Sequence, residues 1–102
     1  HRELERPLRF IYVLKLEGSE FYVGQTTNLN LRLREHRDGT QSQTKGKDPR
    51  LVYFETFRGH RSQVNEVEDD LTHLAQTPEG RRRLMEMVED FREPLRLLDL
   101  EA

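Results

Sequence analysis

Cysteine is absent from the 102 residues, which excludes disulfide staples and thiolate metal sites and fits a reducing, cytoplasmic setting. No apolar run approaches the roughly 20 residues that a membrane span needs, and no signal-peptide pattern opens the chain. We therefore expect no membrane partner. The first residue is His1 rather than Met, so the opening residues carry no fold argument, and room is left for a longer parent protein. Apolar residues are also scarce, at 33% against 35% charged, so the core must be small and economical. A chain of this length holds one domain, over 1–102, with no space for a second core.

The net charge of −2 is unevenly spread. Residues 28–50 carry a surplus of three positive charges, and residues 62–102 a surplus of six negative ones. A basic middle against an acidic tail suggests one face able to meet an anion. It excludes the strongly basic body of a high-affinity nucleic-acid binder.

Leu8–Leu16 (LRFIYVLKL) is rich in β-branched and aromatic residues with both alternating sets largely apolar, which predicts a buried strand. Glu17–Glu20 (EGSE) is turn chemistry, and FYVG follows as the second strand of a hairpin. A three-residue connection, Glu17–Ser19, sets Tyr22 opposite Leu14 and on the face of Tyr12, whereas a two-residue Gly18–Ser19 turn sends Tyr22 to the other face. The sequence does not choose.

The TTN stretch offers caps for a helix through about His36, closed by RDG. Gly39–Pro49 reads as a polar, flexible, mildly basic loop, and Arg50–Phe57 (RLVYFETF) as a third strand. Ser62 is a plausible cap for a helix to Gln76. Thr77 and Pro78 open a last helix with Leu84, Met85, Met87, Val88 and Phe91 on its apolar side, ended by Pro94. The order is β-β-α-β-α-α, an α+β chain. The apolar tail LRLLDL has no clear state.

Four polar or ionisable groups fall on faces that ought to meet the core. Tyr12 shares a strand face with Phe10 and Leu14. Arg32 and His36 share a stripe with Leu29 and Leu33, and Glu68 sits one turn from Val64 and Leu71. Each has an ordinary explanation: a tied-off core tyrosine, a snorkelling arginine, a satisfied structural histidine, or a buried Glu68–Arg32 pair. Together they suit a phosphodiester. A carboxylate can hold a hard divalent cation, a guanidinium can offset phosphoryl charge, and a phenol or imidazole can take or direct a proton.

FIY (Phe10–Tyr12), YVG (Tyr22–Gly24), Arg32 eight residues past that glycine, His36 one turn on and Glu68 on the next helix resemble the GIY-YIG nucleases. The likeness runs from about residue 8 to about residue 76, with 77–102 as an additional helix and tail. It implies a three-stranded antiparallel sheet flanked by helices and metal-dependent cleavage of DNA. It further implies Glu68 as the single protein ligand to Mg²⁺ or Mn²⁺, Arg32 on the phosphate, Tyr12 and Tyr22 lining the site with one of them acting on the water, and His36 supporting a tyrosine or the nucleophile. Tyr12 is the first choice of base.

The chain departs from the family pattern at Phe10, where the family has glycine, and in having no asparagine after Asn65. Lys45, Lys47 and Arg50 are candidate DNA contacts. The GRRRL run (Gly80–Leu84) is either a further backbone contact or a solvated helix start. A fused or separate targeting domain would suit so modest a cationic surface. The competing reading is a catalytically silent nucleic-acid-binding or protein-interaction module on the same fold.

Overall fold

A computed structural model of the chain describes residues 8–58, 60–89 and 95–97. Strand β1 (Arg9–Lys15) is the centre of an antiparallel sheet, with β2 (Phe21–Thr26) on one side and β3 (Arg50–Phe57) on the other. A two-residue strand, β4 (Leu95–Arg96), extends the sheet beyond β3. Helices α1 (Leu29–Arg37), α2 (Arg61–Ala75) and α3 (Pro78–Glu89) complete the expected order. None is long and apolar enough to cross a membrane among the described residues.

The central strand is buried on both faces: Ile11, Tyr12, Val13 and Leu14 are all inaccessible. Ile11 and Val13 pack with Val52, Val64, Leu71 and Leu84 under α2 and α3. Tyr12, Leu14 and Leu16 pack with Leu33 of α1, Leu51 and Leu97 on the opposite face. Each fully buried Leu or Ile contributes about 1.5–3 kcal/mol. Because α1 has only nine residues, its face of the sheet is thinly covered, and fully buried Leu97 fills what the helix leaves. The tail segment without a clear state in the sequence is thus, over Leu95–Leu97, part of the sheet and the core. Phe91 and Pro94 lie outside the described residues.

The hairpin takes the three-residue connection. Leu16 N–H donates to Glu20 at 2.8 Å and Leu14 pairs with Tyr22, so Tyr22 joins the Tyr12 face. Gly18 and Ser19 both adopt positive φ in that turn. Between β1 and β3 the register shifts by one residue, from Val13↔Tyr53 to Leu14↔Leu51. This bulge sends both Val52 and Tyr53 toward α2 and α3, and it sets Phe54 opposite Tyr12. An unbulged ladder would put Tyr53 there.

Asn28 caps α1, its Oδ1 accepting from Leu31 N–H at 3.1 Å. Arg37 and Asp38 close the helix ahead of Gly39, whose φ of 78° suits a residue without Cβ. The expected Ser62 cap is not formed. Helix α2 begins at Arg61 with His60 as the residue before it, and no side chain caps it. At the α2–α3 corner, a Cβ on Gly80 would stand 2.7 Å from the Leu74 carbonyl carbon, so the two helices meet through bare backbone. Arg81 donates from Nη1 to the Ala75 carbonyl at 3.3 Å, and Arg83 pairs with Glu79 at 3.7 Å. Two of the three arginines of GRRRL therefore serve their own corner.

Candidate active site

Tyr12 projects from the central strand toward β2, where its register partner is Gly24. A Cβ on Gly24 would lie 2.6 Å from Tyr12 Cζ, inside the phenol. The glycine of YVG is therefore a gap through which Tyr12 carries its hydroxyl over the edge strand. Arg32, His36 and Tyr22 belong to the α1 face, whereas α2 packs on the other.

His36, 1% exposed, receives the phenol: Tyr12 Oη and His36 Nε2 are 2.8 Å apart. On its far side, His36 Nδ1 is 2.7 Å from Thr44 Oγ1. Thr44 donates its own hydroxyl proton to the Gln41 carbonyl at 3.4 Å, so it accepts from His36. The proton of the neutral imidazole therefore sits on Nδ1, and Nε2 accepts from Tyr12. Burial, aided by the Arg32 charge, lowers the imidazole pKa from 6.5 to about 4. The Tyr22 ring packs edge-on to His36 with centroids 5.1 Å apart. The Tyr22 hydroxyl has no hydrogen-bond partner among the described residues, and the residue is half-buried.

Tyr12 is held strongly in its protonated form. Burial is the main cause, Tyr22 and Glu68 add to it, and the adjacent Arg32 guanidinium works the other way. The Tyr22 ring packs beside the same phenol with centroids 6.3 Å apart, and Arg32 and Glu68 lie close enough to act on it electrostatically. Arg32 is half-exposed and pairs with Glu35 at 3.0 Å. The buried Glu68–Arg32 pair, the ordinary explanation for Glu68, is not present.

Glu68 is held by Gln25, whose Nε2 donates to Glu68 Oε1 and to Asn65 Oδ1, both at 2.7 Å. Gln25 Oε1 accepts from Arg9 Nη1 at 3.2 Å, which fixes which end of the amide faces the carboxylate. Glu68 forms no ion pair among the described residues. Among the described residues, no three His, Cys, Asp or Glu side chains cluster as a metal cage. One carboxylate with an uncommitted oxygen at a solvent-accessible edge suits Mg²⁺, which keeps several waters and takes one or two carboxylates together with substrate phosphate.

Gln25, Asn65 and Thr44 are site-supporting residues that the sequence reading passed over. Gln25 did carry a signal, since it continues the apolar face of Phe21 and Val23. Thr44 carried none: it is wholly buried inside a segment that reads as flexible loop. Lys45, Lys47 and Arg50 lie on and after that segment. Lys47 faces Glu20 and Arg50 faces Asp48, each at 3.6 Å, with both cations well exposed and Asp48 less so. Such pairs are weak enough for a phosphate to displace.

The neutral state of His36 predicts a pH dependence of stability. Between about pH 6.5 and 4 the unfolded chain binds a proton that the folded chain refuses, so folding weakens as pH falls. The contribution is complete above pH 6.5 and amounts to about 3 kcal/mol at roughly 1.4 kcal/mol per pH unit. Urea unfolding from pH 7 to 4 should show this loss, and a His36→Gln variant should show a flatter profile. Equal pH slopes in the two proteins would refute a buried neutral imidazole.

A small antiparallel sheet flanked by three helices, carrying a phenol, an imidazole, a guanidinium and a carboxylate, is a nuclease-type fold. The model of the GIY-YIG catalytic domain matches residues 9–90, through the end of α3, and the chain belongs to the GIY-YIG family. A UPF0213 protein of Clostridium perfringens is 38% identical over 53% of this chain and 60% of its own length. The UPF0213 protein of Desulfotalea psychrophila is 33% identical over 74% and 70%, and that of Haloquadratum walsbyi 28% over 83% and 94%. No solved structure matches the chain.

Proposed function

We propose that the protein is a metal-dependent endonuclease that hydrolyses DNA phosphodiesters at the Tyr12 edge of the sheet. The observation that carries the reading is the proton path from Tyr12 Oη to a neutral, buried His36, with Arg32 and Glu68 beside the same phenol. Each group then has a task. Glu68, oriented by Gln25, holds the cation. Mg²⁺ or Mn²⁺ supplies Lewis-acid polarisation of the phosphate and a more acidic water. Arg32, half-exposed in its pair with Glu35, turns to the scissile phosphate and offsets its developing charge.

Tyr12 is no standing phenolate. A free phenol is ionised at about one part in a few hundred near pH 7.5, and burial makes the fraction here smaller still. The hydrogen-bond direction offers a relay instead: Tyr12 oxygen takes the proton of the attacking water as its own proton passes to His36 Nε2. Thr44 stabilises the imidazole in the tautomer that can receive it. The half-exposed Tyr22 hydroxyl is placed to orient the water.

A panel of linear, nicked, flapped and branched DNAs with Mg²⁺ or Mn²⁺ tests the proposal, with Glu68→Gln as control. Cutting of at least one substrate by the parent and none by the control is expected, and cutting by neither would leave no place for the reading. Neutralising Lys45, Lys47 and Arg50 together should weaken DNA binding several-fold at low salt and reduce the salt slope, since each phosphate contact contributes to it. The rate at saturating DNA should stay unchanged. Unaltered affinity in the titration would remove this segment from the interface.

A further inference from the structure

The Gln25 amide draws two oxygens of α2 to one point. Its Nε2 donates one proton to Asn65 Oδ1 and the other to Glu68 Oε1, each at 2.7 Å. Asn65 and Glu68 stand three residues apart on α2, so both side chains rise from one face of the helix. Gln25 Oε1 accepts from Arg9 at 3.2 Å, which puts the amide between the guanidinium and the carboxylate. A network built for stability alone would set Arg9 directly on Glu68, because bonds between two charged groups are the stronger ones. Here the amide is saturated, while each oxygen gives it one bond. A carbonyl oxygen has two lone pairs and a carboxylate about four, so both acceptors keep capacity. Asn65 is exposed and Glu68 half-buried, within reach of solvent. Asparagine is also a poor residue for a helix interior, since its side chain competes for backbone hydrogen bonds.

We propose that Asn65 Oδ1 is a second protein ligand to the divalent cation, so that a carboxylate and an amide oxygen of α2 together form its seat. The inference rests on the reading that Glu68 holds the ion, and it goes beyond the family resemblance, which implies a single protein ligand. Carbonyl and carboxylate oxygens both suit Mg²⁺ and Mn²⁺. Because one amide orients both ligands, part of their ordering cost is met before the ion arrives. The neutral amide oxygen also adds a ligand without adding charge. One carboxylate leaves a bound divalent ion with net positive charge to attract a substrate phosphate, whereas a second carboxylate would cancel it.

Mn²⁺ alone, without DNA, is the probe. The protein carries ¹³C-labelled asparagine, of which the chain has only Asn28, Asn30 and Asn65. Electron–nuclear double resonance of the bound Mn²⁺ should show one strong ¹³C coupling in the parent and none in Asn65→Ala. A residue that merely supported Gln25 would give no such coupling. Mn²⁺ affinity, measured by calorimetry, should fall about tenfold in Asn65→Ala, and Asn65→Asp should return it at least to the parent's level. Circular dichroism verifies that the variants fold. Absence of the coupling in the parent, its survival in Asn65→Ala, or unchanged affinity in Asn65→Ala would overturn the second ligand.

The two readings fail separately. Glu68-dependent Mn²⁺ binding without the asparagine coupling removes Asn65 from the seat and leaves the nuclease standing. The coupling without cutting of any DNA keeps the seat and sinks the nuclease. Mn²⁺ binding that Glu68→Gln does not change overturns both.

Discussion

Glu68→Gln is expected to reduce metal-dependent DNA cutting by at least about a thousand-fold while leaving the thermal midpoint within a few degrees of the parent. The activity side follows from the chemistry of the site. Glu68 is the carboxylate beside the Tyr12 phenol, and no metal cage exists among the described residues to replace it. Losing the cation removes several kcal/mol of charge stabilisation and the acidified water at once, and about 4 kcal/mol is a thousand-fold. The stability side follows from matched size and partial exposure. The glutamine amide oxygen can still accept from Gln25, and the substitution creates no cavity. Single-turnover cutting and a thermal melt measure the two sides separately. A large loss of stability would mean that Glu68 is a structural anchor.

Gly24→Ala should be nearly as damaging, through geometry instead of charge. The new methyl would occupy the Tyr12 phenol. The ring cannot retreat easily, because it is wholly buried among Leu14, Leu33 and Leu51 and bonded to His36. Overpacking of this kind costs about 1–3 kcal/mol. Displacing the hydroxyl by even about 1 Å from its working position can cost a hundred-fold in rate. A double-mutant cycle isolates the cause. Tyr12→Phe alone should lose a similar factor, and Gly24→Ala combined with Tyr12→Phe should be no slower than Tyr12→Phe, because the hydroxyl is already gone. Multiplicative losses would show that Gly24 acts through the β2 backbone and not through Tyr12.

The site was legible where a polar side chain broke an otherwise apolar period. Tyr12, Arg32, His36 and Glu68 each did so, because strand and helix periodicities fix which face a side chain takes before any tertiary contact is known. Gln25 broke the period of β2 in the same way. Its signal is weak because β2 is short and Gln25 follows the glycine that interrupts the apolar run. The hairpin register was narrowed to two choices that differ by one residue of turn, and only the pairing of Leu14 with Tyr22 decides between them. The bulge at Val52 could not be read, since a strand apolar on both faces loses nothing visible when its period slips. Thr44 was hidden for a related reason: its burial comes from His36, eight residues earlier, and not from any pattern of its own. Ser62 is the commoner capping type, whereas the chain turns into α2 two residues sooner, at His60.

All of this depends on Glu68 presenting its carboxylate near the Tyr12 hydroxyl, although helix and phenol start from opposite faces of the sheet. Substoichiometric Mn²⁺ added to isotope-labelled protein, read by paramagnetic broadening in NMR spectra, tests this most directly. The account predicts broadening centred on the Gln25 side-chain amide and the Glu68 backbone, reaching the Tyr12 and Tyr22 ring signals, and absent in Glu68→Gln. Broadening confined to the acidic surface of α2 and α3, or unchanged by Glu68→Gln, would contradict it.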